Sequence, residues 1–399
     1  MIIKPKIRGY ICTTSHPIGC EVNVLNQISY VKSCGEFKDG PKNALIIGSS
    51  TGYGLSSRIS LAFGAKTNTI GVFFEKQGGM NKTASAGWYN SASFSHAAKK
   101  EGLYVKNING DAFSDECKKS VIDLCKKESI KLDLIVYSIA SSQRKIPKTG
   151  KIVRSTLKPI GKSYKTIALD TNKNMLFKID IKPANKQEIV DTISVMGGED
   201  WELWIDVLNN ANLLSNNVKT IAYSYIGSEI TWPIYLHGTI GKAKKDLERA
   251  ANVIDIKLKS KKGSAYIVVL KSVVTQASSA IPVMPLYMSI ILKIMKEKYI
   301  NEGCIEQIQR LFSTKLYSNK LLITDNKNRL RLDDLELRDD VQNSCRDIWN
   351  KISNDNFGEF TDYIGYKKEF LQLFGFGFEN IDYNVDVIIK KQFAVNNLL

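Results

Sequence analysis

From about residue 42 onward the sequence alternates short, nearly continuous apolar runs with stretches of helical periodicity, and this alternation constrains the fold more than any other feature. The runs are residues 44–47 (ALII), 69–74 (TIGVFF), the weaker 102–105, 132–138 (LDLIVYS), a fifth led by 220–223, and 265–270 (AYIVVL). Helical patterns fill the gaps at 54–63, 115–128, 238–258 and 282–298. A strand without polar alternation has both faces covered, and helices between such strands supply the cover. The expected fold class is α/β, a Rossmann-like doubly wound parallel sheet.

Two stretches depart from the alternation. Residues 141–218 read as an insertion, with a turn-rich segment at 146–150 (IPKTG) and a helical stretch near 200–214. The insertion is expected to be mainly helical. Residues 301–399 read as a helical extension, for example over 331–345. With no repeat, low-complexity tract or linker, residues 1–399 are expected to form one elaborated domain. Its core covers about 42–140 and 219–300.

Charge excludes less than it suggests. The net charge is +16, from 56 basic and 40 acidic residues. The lysines are scattered rather than gathered in a stripe interleaved with aromatics, which argues against nucleic acid. A diffuse positive field suits an anionic ligand or an acidic partner. The seven cysteines show irregular spacing and no CxxC, which fits reduced thiols in a cytoplasm. Cys12, His16 and Cys20 recur every four residues, but Pro17 and Gly19 lie between them and no fourth ligand is evident, so no metal is expected. The N-terminus carries early charges and no apolar leader. The apolar stretch 281–294 is broken by Pro282, Pro285 and Lys293, so no membrane span is expected.

The first apolar run ends in Gly48, Ser49, Ser50, Thr51, Gly52, Tyr53 and Gly54, and a helix follows. Glycine permits the tight turn, and bare backbone lets a pyrophosphate approach the positive end of the helix. In strand–turn–helix context this pattern points to a dinucleotide. Glu75 ends the second run, 21 residues after Gly54. An acid there can accept both ribose hydroxyls and repels a 2′-phosphate, which favours NADH over NADPH. By topology, Asp111 and Ala112 should lie near the adenine, and Ile139 and Ala140 beside the nicotinamide ribose.

After the fifth run come Tyr225, Tyr235 and, on the next helix, Lys244; eight residues separate Tyr235 from Lys244. An ammonium beside a phenol is expected to lower its pKa and to hold the nicotinamide ribose. A phenol can then serve a carbonyl and stabilise an enolate. Taken alone, the pair reads equally as a buried tyrosine and a surface lysine.

At these residues the sequence resembles the trans-2-enoyl-CoA reductase family, also called FabV-type enoyl-[acyl-carrier-protein] reductases. The resemblance spans essentially the full length. It rests on GSSTGYGL at 48–55, TASAGWYN at 83–90, GDAF at 110–113, VMGGEDW at 195–201, YSYIG at 223–227, the tyrosine–lysine pair, and LDDLEL at 332–337. The gap of eight residues is longer than in ordinary short-chain dehydrogenases or the common enoyl reductases. The resemblance implies an NADH-dependent reduction of the 2,3 double bond of trans-2-enoyl thioesters, on acyl carrier protein or CoA, by a cytoplasmic monomer with an enlarged substrate portal. It implies Tyr235 as proton donor, Lys244 as its cofactor-binding partner, and Tyr225 at the thioester carbonyl. Gly48, Ser49, Ser50, Thr51, Gly52, Tyr53, Phe74, Glu75, Asp111, Ala112, Ile139, Ala140, Val273, Val274 and Thr275 would line the cofactor site. Residues 281–294 would form the helix over the acyl chain. The family usually has a proline and then basic residues after the fourth run; here the stretch is ASSQRK at 140–145, with no proline and a shifted basic pair, of which Arg144 could still serve a carrier phosphate.

Two enzyme alternatives remain, a carbonyl-reducing short-chain dehydrogenase and a reductase confined to short-chain CoA esters. A third belongs to another class, a non-catalytic NAD-sensing protein. The long gap speaks against the first, and the presence of both Tyr235 and Lys244 against the last.

Overall fold

The computed structural model describes residues 1–399. Its centre is a sheet of eight parallel strands. They are β1 (Asn43–Ile47), β2 (Asn68–Phe73), β3 (Val105–Asn109), β4 (Leu132–Tyr137), β5 (Leu214–Ser224), β6 (Ser264–Val269), β7 (Arg329–Arg331) and β8 (Asn396–Asn397). Their spatial order is β7-β6-β5-β4-β1-β2-β3-β8. The chain runs outward from β1 through β2 and β3, then returns to the other side of β1 with β4. That reversal opens a crevice at the carboxyl ends of β1 and β4, where ligands of such sheets bind.

The main helices are α1 (Pro17–Ser33), α2 (Gly52–Ala65), α3 (Ala86–Lys100), α4 (Asp115–Lys127), α5 (Lys186–Met196), α6 (Glu199–Asn210), α7 (Thr239–Leu258), α8 (Met284–Glu297), α9 (Cys304–Arg310), α10 (Asp339–Lys351) and α11 (Tyr363–Gln372). Local chemistry fixes several ends. Ser114 caps α4 by accepting from the Cys117 N–H at 3.1 Å, with Asp115 and Glu116 in its first turn and Lys126 and Lys127 in its last. Both charge sets complement the helix dipole. Pro17 starts α1 rather than interrupting it, and His16 caps that helix through Nδ1. No helix is long and apolar enough to cross a membrane.

The third run is displaced from its expected place. Residues 102–104 precede the strand, with Gly102 at φ +71, and β3 begins at Val105. The strand reads weakly because its buried residues include Asn107 and Asn109. Asn107 accepts from Arg58 at 2.7 Å and donates to Ser95 and to the Ala394 carbonyl, so its polarity is fully used inside.

The insertion is mixed rather than mainly helical. It holds two antiparallel hairpins, Gln143–Lys145 with Ile152–Arg154 and Tyr164–Asp170 with Met175–Ile181, besides α5 and α6. Its last residues already belong to β5, which is irregular between Leu214 and Lys219. The C-terminal extension is helical but also supplies both edge strands, β7 and β8. The helix expected over 331–345 instead starts at Asp339, after a strand and the LDDLEL stretch.

Candidate active site

The crevice is built from the glycine turn outward. Gly48 has φ +89, and a Cβ there would lie 2.2 Å from the Ser138 carbonyl oxygen. A Cβ on Gly54 would meet the Gly48 carbonyl at 1.9 Å. These two glycines let β1, β4 and α2 converge. Gly52 differs, because a Cβ there finds nothing nearer than a Thr275 methyl at 3.8 Å. Thr51 stands at the N-cap of α2 without a side-chain capping bond, so the first-turn N–H groups keep their capacity for an anion. Open backbone at Gly52 beside uncapped donors is the cradle a pyrophosphate needs, and the residues fit NADH.

The remaining predicted cofactor residues converge on the same edge. Ser49 donates to the Val72 carbonyl at 3.2 Å, and Tyr53 donates to the Lys271 carbonyl at 2.7 Å. The latter bond ties the turn to the segment carrying Val273, Val274 and Thr275. Glu75 follows β2, where Asn109 accepts from its N–H at 2.8 Å and donates to its carbonyl at 3.0 Å. Burial raises its carboxyl above the ordinary range, and bonds from Ser85 and Ser50 oppose that. Phe74 is 63% exposed beside it, an apolar surface left open at the place expected for a base. Asp111 accepts from the Phe113 N–H at 3.0 Å. Lys118 and Trp204 both donate to the Ala112 carbonyl, at 3.0 and 3.1 Å. Ile139 is half-buried and Ala140 exposed at the end of β4.

Tyr235 lies in the turn between β5 and α7 and is 7% exposed. It packs edge-on against Tyr225, with ring centroids 4.8 Å apart at 84°. Burial pushes its phenol above the ordinary value. The expectation that Lys244 lowers this phenol is not met here. The Lys244 ammonium donates instead to the Tyr223 carbonyl at 2.9 Å, and burial brings it down to about 8. Burial thus favours the neutral form of the Tyr235 phenol. Tyr225 donates its own proton to Glu336 at 2.9 Å.

Arg144 is not available for a phosphate. It is 2% exposed and donates to Glu199 and the Ser194 carbonyl, holding the insertion together. Two further groups escaped the sequence reading although they sit inside quoted motifs. Asp200 and Lys118 form a buried ion pair at 2.8 Å, 1% and 3% exposed. Glu336 is fully buried.

Residues 82–317 match the family described as trans-2-enoyl-CoA reductase catalytic region, and residues 2–80 match the NAD(P)H binding domain of trans-2-enoyl-CoA reductase. Residues 324–387 match an enoyl reductase FAD binding domain. In this chain that stretch has no glycine turn between a strand and a helix, and its Tyr363, Tyr366 and Phe370 are buried in the core with α8, so its residues do not fit a flavin. The enoyl-[acyl-carrier-protein] reductase [NADH] of Serratia proteamaculans is 64% identical over the whole of both chains. The FabV enoyl-[acyl-carrier-protein] reductase [NADH] of Aeromonas salmonicida is 58% identical, again over both chains. Among solved structures, the trans-2-enoyl-CoA reductase of Clostridium acetobutulicum with NADH superimposes at a TM-score of 0.95, with 46% identity and 98% of each chain covered. That of Treponema denticola with NAD gives 0.93 at 46% identity over 99% of each. Motifs, sheet order and full-length relatives agree, and the chain belongs to the trans-2-enoyl-CoA reductase family of FabV-type enoyl-[acyl-carrier-protein] reductases.

Proposed function

We propose that this chain, an NADH-dependent enoyl-thioester reductase, takes its trans-2-enoyl chain from acyl carrier protein and works as a cytoplasmic monomer built as one elaborated domain. The preference for the carrier protein over CoA draws on the names of its relatives at 64% and 58% identity. The scattered positive charge suits an acidic carrier.

Bound NADH supplies the hydride that C3 of the substrate receives. The chain's part is to hold both molecules and manage charge and proton. The glycine turn from Gly48 to Tyr53, with Val273 to Thr275, takes the pyrophosphate side. Phe74, Glu75, Asp111 and Ala112 take the adenosine, and Lys244, Ile139 and Ala140 take the nicotinamide ribose. Tyr235 donates to the thioester carbonyl and meets the negative charge that gathers on its oxygen. Its proton, or one relayed through water, then reaches C2. Tyr225 reaches the same oxygen by turning its O–H away from Glu336.

The observation that carries this assignment is the Tyr235 phenol, buried after β5 with its ring edge-on against Tyr225. The experiment is NADH absorbance with medium-chain trans-2-enoyl thioesters of carrier protein and of CoA. Rapid oxidation, with a higher kcat/KM for the carrier-protein ester, supports the reading. No oxidation with either ester, by folded protein that binds NADH, overturns it in favour of a non-catalytic NAD sensor.

A further inference from the structure

The LDDLEL stretch is left unexplained by the cofactor and by the tyrosine–lysine pair. Its Glu336 is fully buried, and the buried Lys271 ammonium close by donates to the Ser272 carbonyl at 2.7 Å rather than to its carboxyl group. Four donors satisfy it instead. Tyr225 donates to Oε1 at 2.9 Å, Tyr287 to Oε1 at 2.7 Å and the Ser272 hydroxyl to Oε1 at 3.1 Å, while the Ser272 N–H donates to Oε2 at 2.6 Å. Gln342 donates to the Glu336 carbonyl at 2.6 Å and fixes the backbone. A buried carboxyl group needs such convergence, because polar atoms shut off from water must find their bonds inside the protein.

The donors come from three walls of one site. Tyr225 follows β5 and touches Tyr235. Ser272 immediately precedes Val273, the start of the cofactor segment. Tyr287 stands in the first turns of α8, the helix assigned to the acyl chain. One carboxylate therefore links the carbonyl pocket, the cofactor segment and the acyl wall.

We propose that Glu336 is a positioning residue for the reduction, orienting the Tyr225 hydroxyl and, through the Tyr225 ring, Tyr235. This rests on the reading of Tyr225 and Tyr235 given above. While Tyr225 donates to Glu336, Tyr235 is the phenol whose proton is free for the substrate. Tyr287 and both Ser272 donors keep Glu336 satisfied when Tyr225 turns, so the turn leaves no orphaned charge. The two tyrosines therefore act in succession on one oxygen.

The test is a double-mutant cycle of Glu336→Gln and Tyr225→Phe, read as kcat and as KM for NADH and for the enoyl thioester. In Glu336→Gln the amide must keep its oxygen toward the Ser272 N–H, so its NH2 faces three hydroxyls that now have to reverse. We expect kcat to fall by about 10- to 100-fold, the scale of a displaced reacting group, with KM for NADH within about twofold of wild type. In a Tyr225→Phe background the same change should cost less than about threefold, since the hydroxyl it acts through is gone. Tyr287→Phe, which removes one donor and keeps the ring, should show the same dependence on Tyr225 more weakly. It guards against poor folding of Glu336→Gln. Equal losses in both backgrounds overturn the proposal and leave Glu336 as a packing group. If Tyr225→Phe alone leaves kcat unchanged, the reading of Tyr225 falls and takes the proposal with it. If wild type itself does not oxidise NADH, the reductase reading fails first.

Discussion

Ser50 donates its hydroxyl to Glu75 Oε1 across 2.7 Å, joining the glycine turn to the end of the second strand. The neighbouring Gly87 leaves no spare room, since a Cβ there would lie 2.0 Å from the same oxygen. On the proposed cofactor assignment, Glu75 would thereby stand where a 2′-phosphate would have to sit. Glu75→Ala is expected to raise the kcat/KM ratio of NADPH to NADH by about tenfold or more, given that each 1.4 kcal/mol is a factor of ten and like-charge contact costs several. Parallel assays with both cofactors check it; an unchanged ratio would remove Glu75 from cofactor selection.

Tyr235→Phe keeps the ring against Tyr225 and removes the proton. General acid catalysis contributes roughly 10²- to 10⁴-fold, and kcat should fall within that span. NADH binding, followed by fluorescence titration, should stay within about twofold of wild type, a small change on the tenfold-per-1.4 kcal/mol scale. Loss of cofactor affinity in step with rate would mean that the tyrosine is structural.

Lys244 is lowered by burial to about 8. Below that pH it is an ammonium, and above it a neutral amine. NADH binding to the free enzyme should weaken as pH rises through about 8. Lys244→Arg retains its charge across this range, so its binding should show no such alkaline limb even if it is weaker overall. A limb of the same midpoint in both proteins would assign it elsewhere.

Gly52→Ala and Gly54→Ala should separate cofactor from fold. At Gly52, φ is +52 but space is open, so stability should fall by only about 1–2 kcal/mol while a methyl group occupies the cradle and weakens NADH. At Gly54 a Cβ would meet backbone at 1.9 Å, and the protein should fail to reach its native stability. Thermal unfolding beside NADH titration reads both.

Asp200→Ala leaves the Lys118 side chain buried and short of its partner. Such removals cost about 3–5 kcal/mol. Lys118 also holds the Ala112 carbonyl, so NADH affinity should drop together with the urea midpoint. A stable variant with wild-type affinity would count against this role.

The fold was legible where periodicity and burial agree. β1, β4 and β6 are apolar on both faces and lie within a residue or so of their expected bounds. β3 was displaced because Asn107 and Asn109 satisfy their amides inside, a fact that a hydropathy pattern cannot carry. β7 and β8 are three and two residues long, too short for any period to register. The site was legible where chemistry imposes spacing, as at the glycine turn. Glu336 and Asp200 were visible only as letters in motifs, because their partners lie 111 and 82 positions away, at Tyr225 and Lys118.

The last strand has a consequence for how the molecule is made. β8 hydrogen-bonds β3, and the segment before it accepts from Trp88 at Lys391 and from Tyr89 at Ile389. These partners are separated by about 300 positions along the chain. While the protein is being synthesised, the outer edge of β3 stays bare until residues 396–397 have emerged from the ribosome. Nascent chains must therefore carry that open strand edge, exposed to neighbours, from the emergence of β3 until β8 follows it.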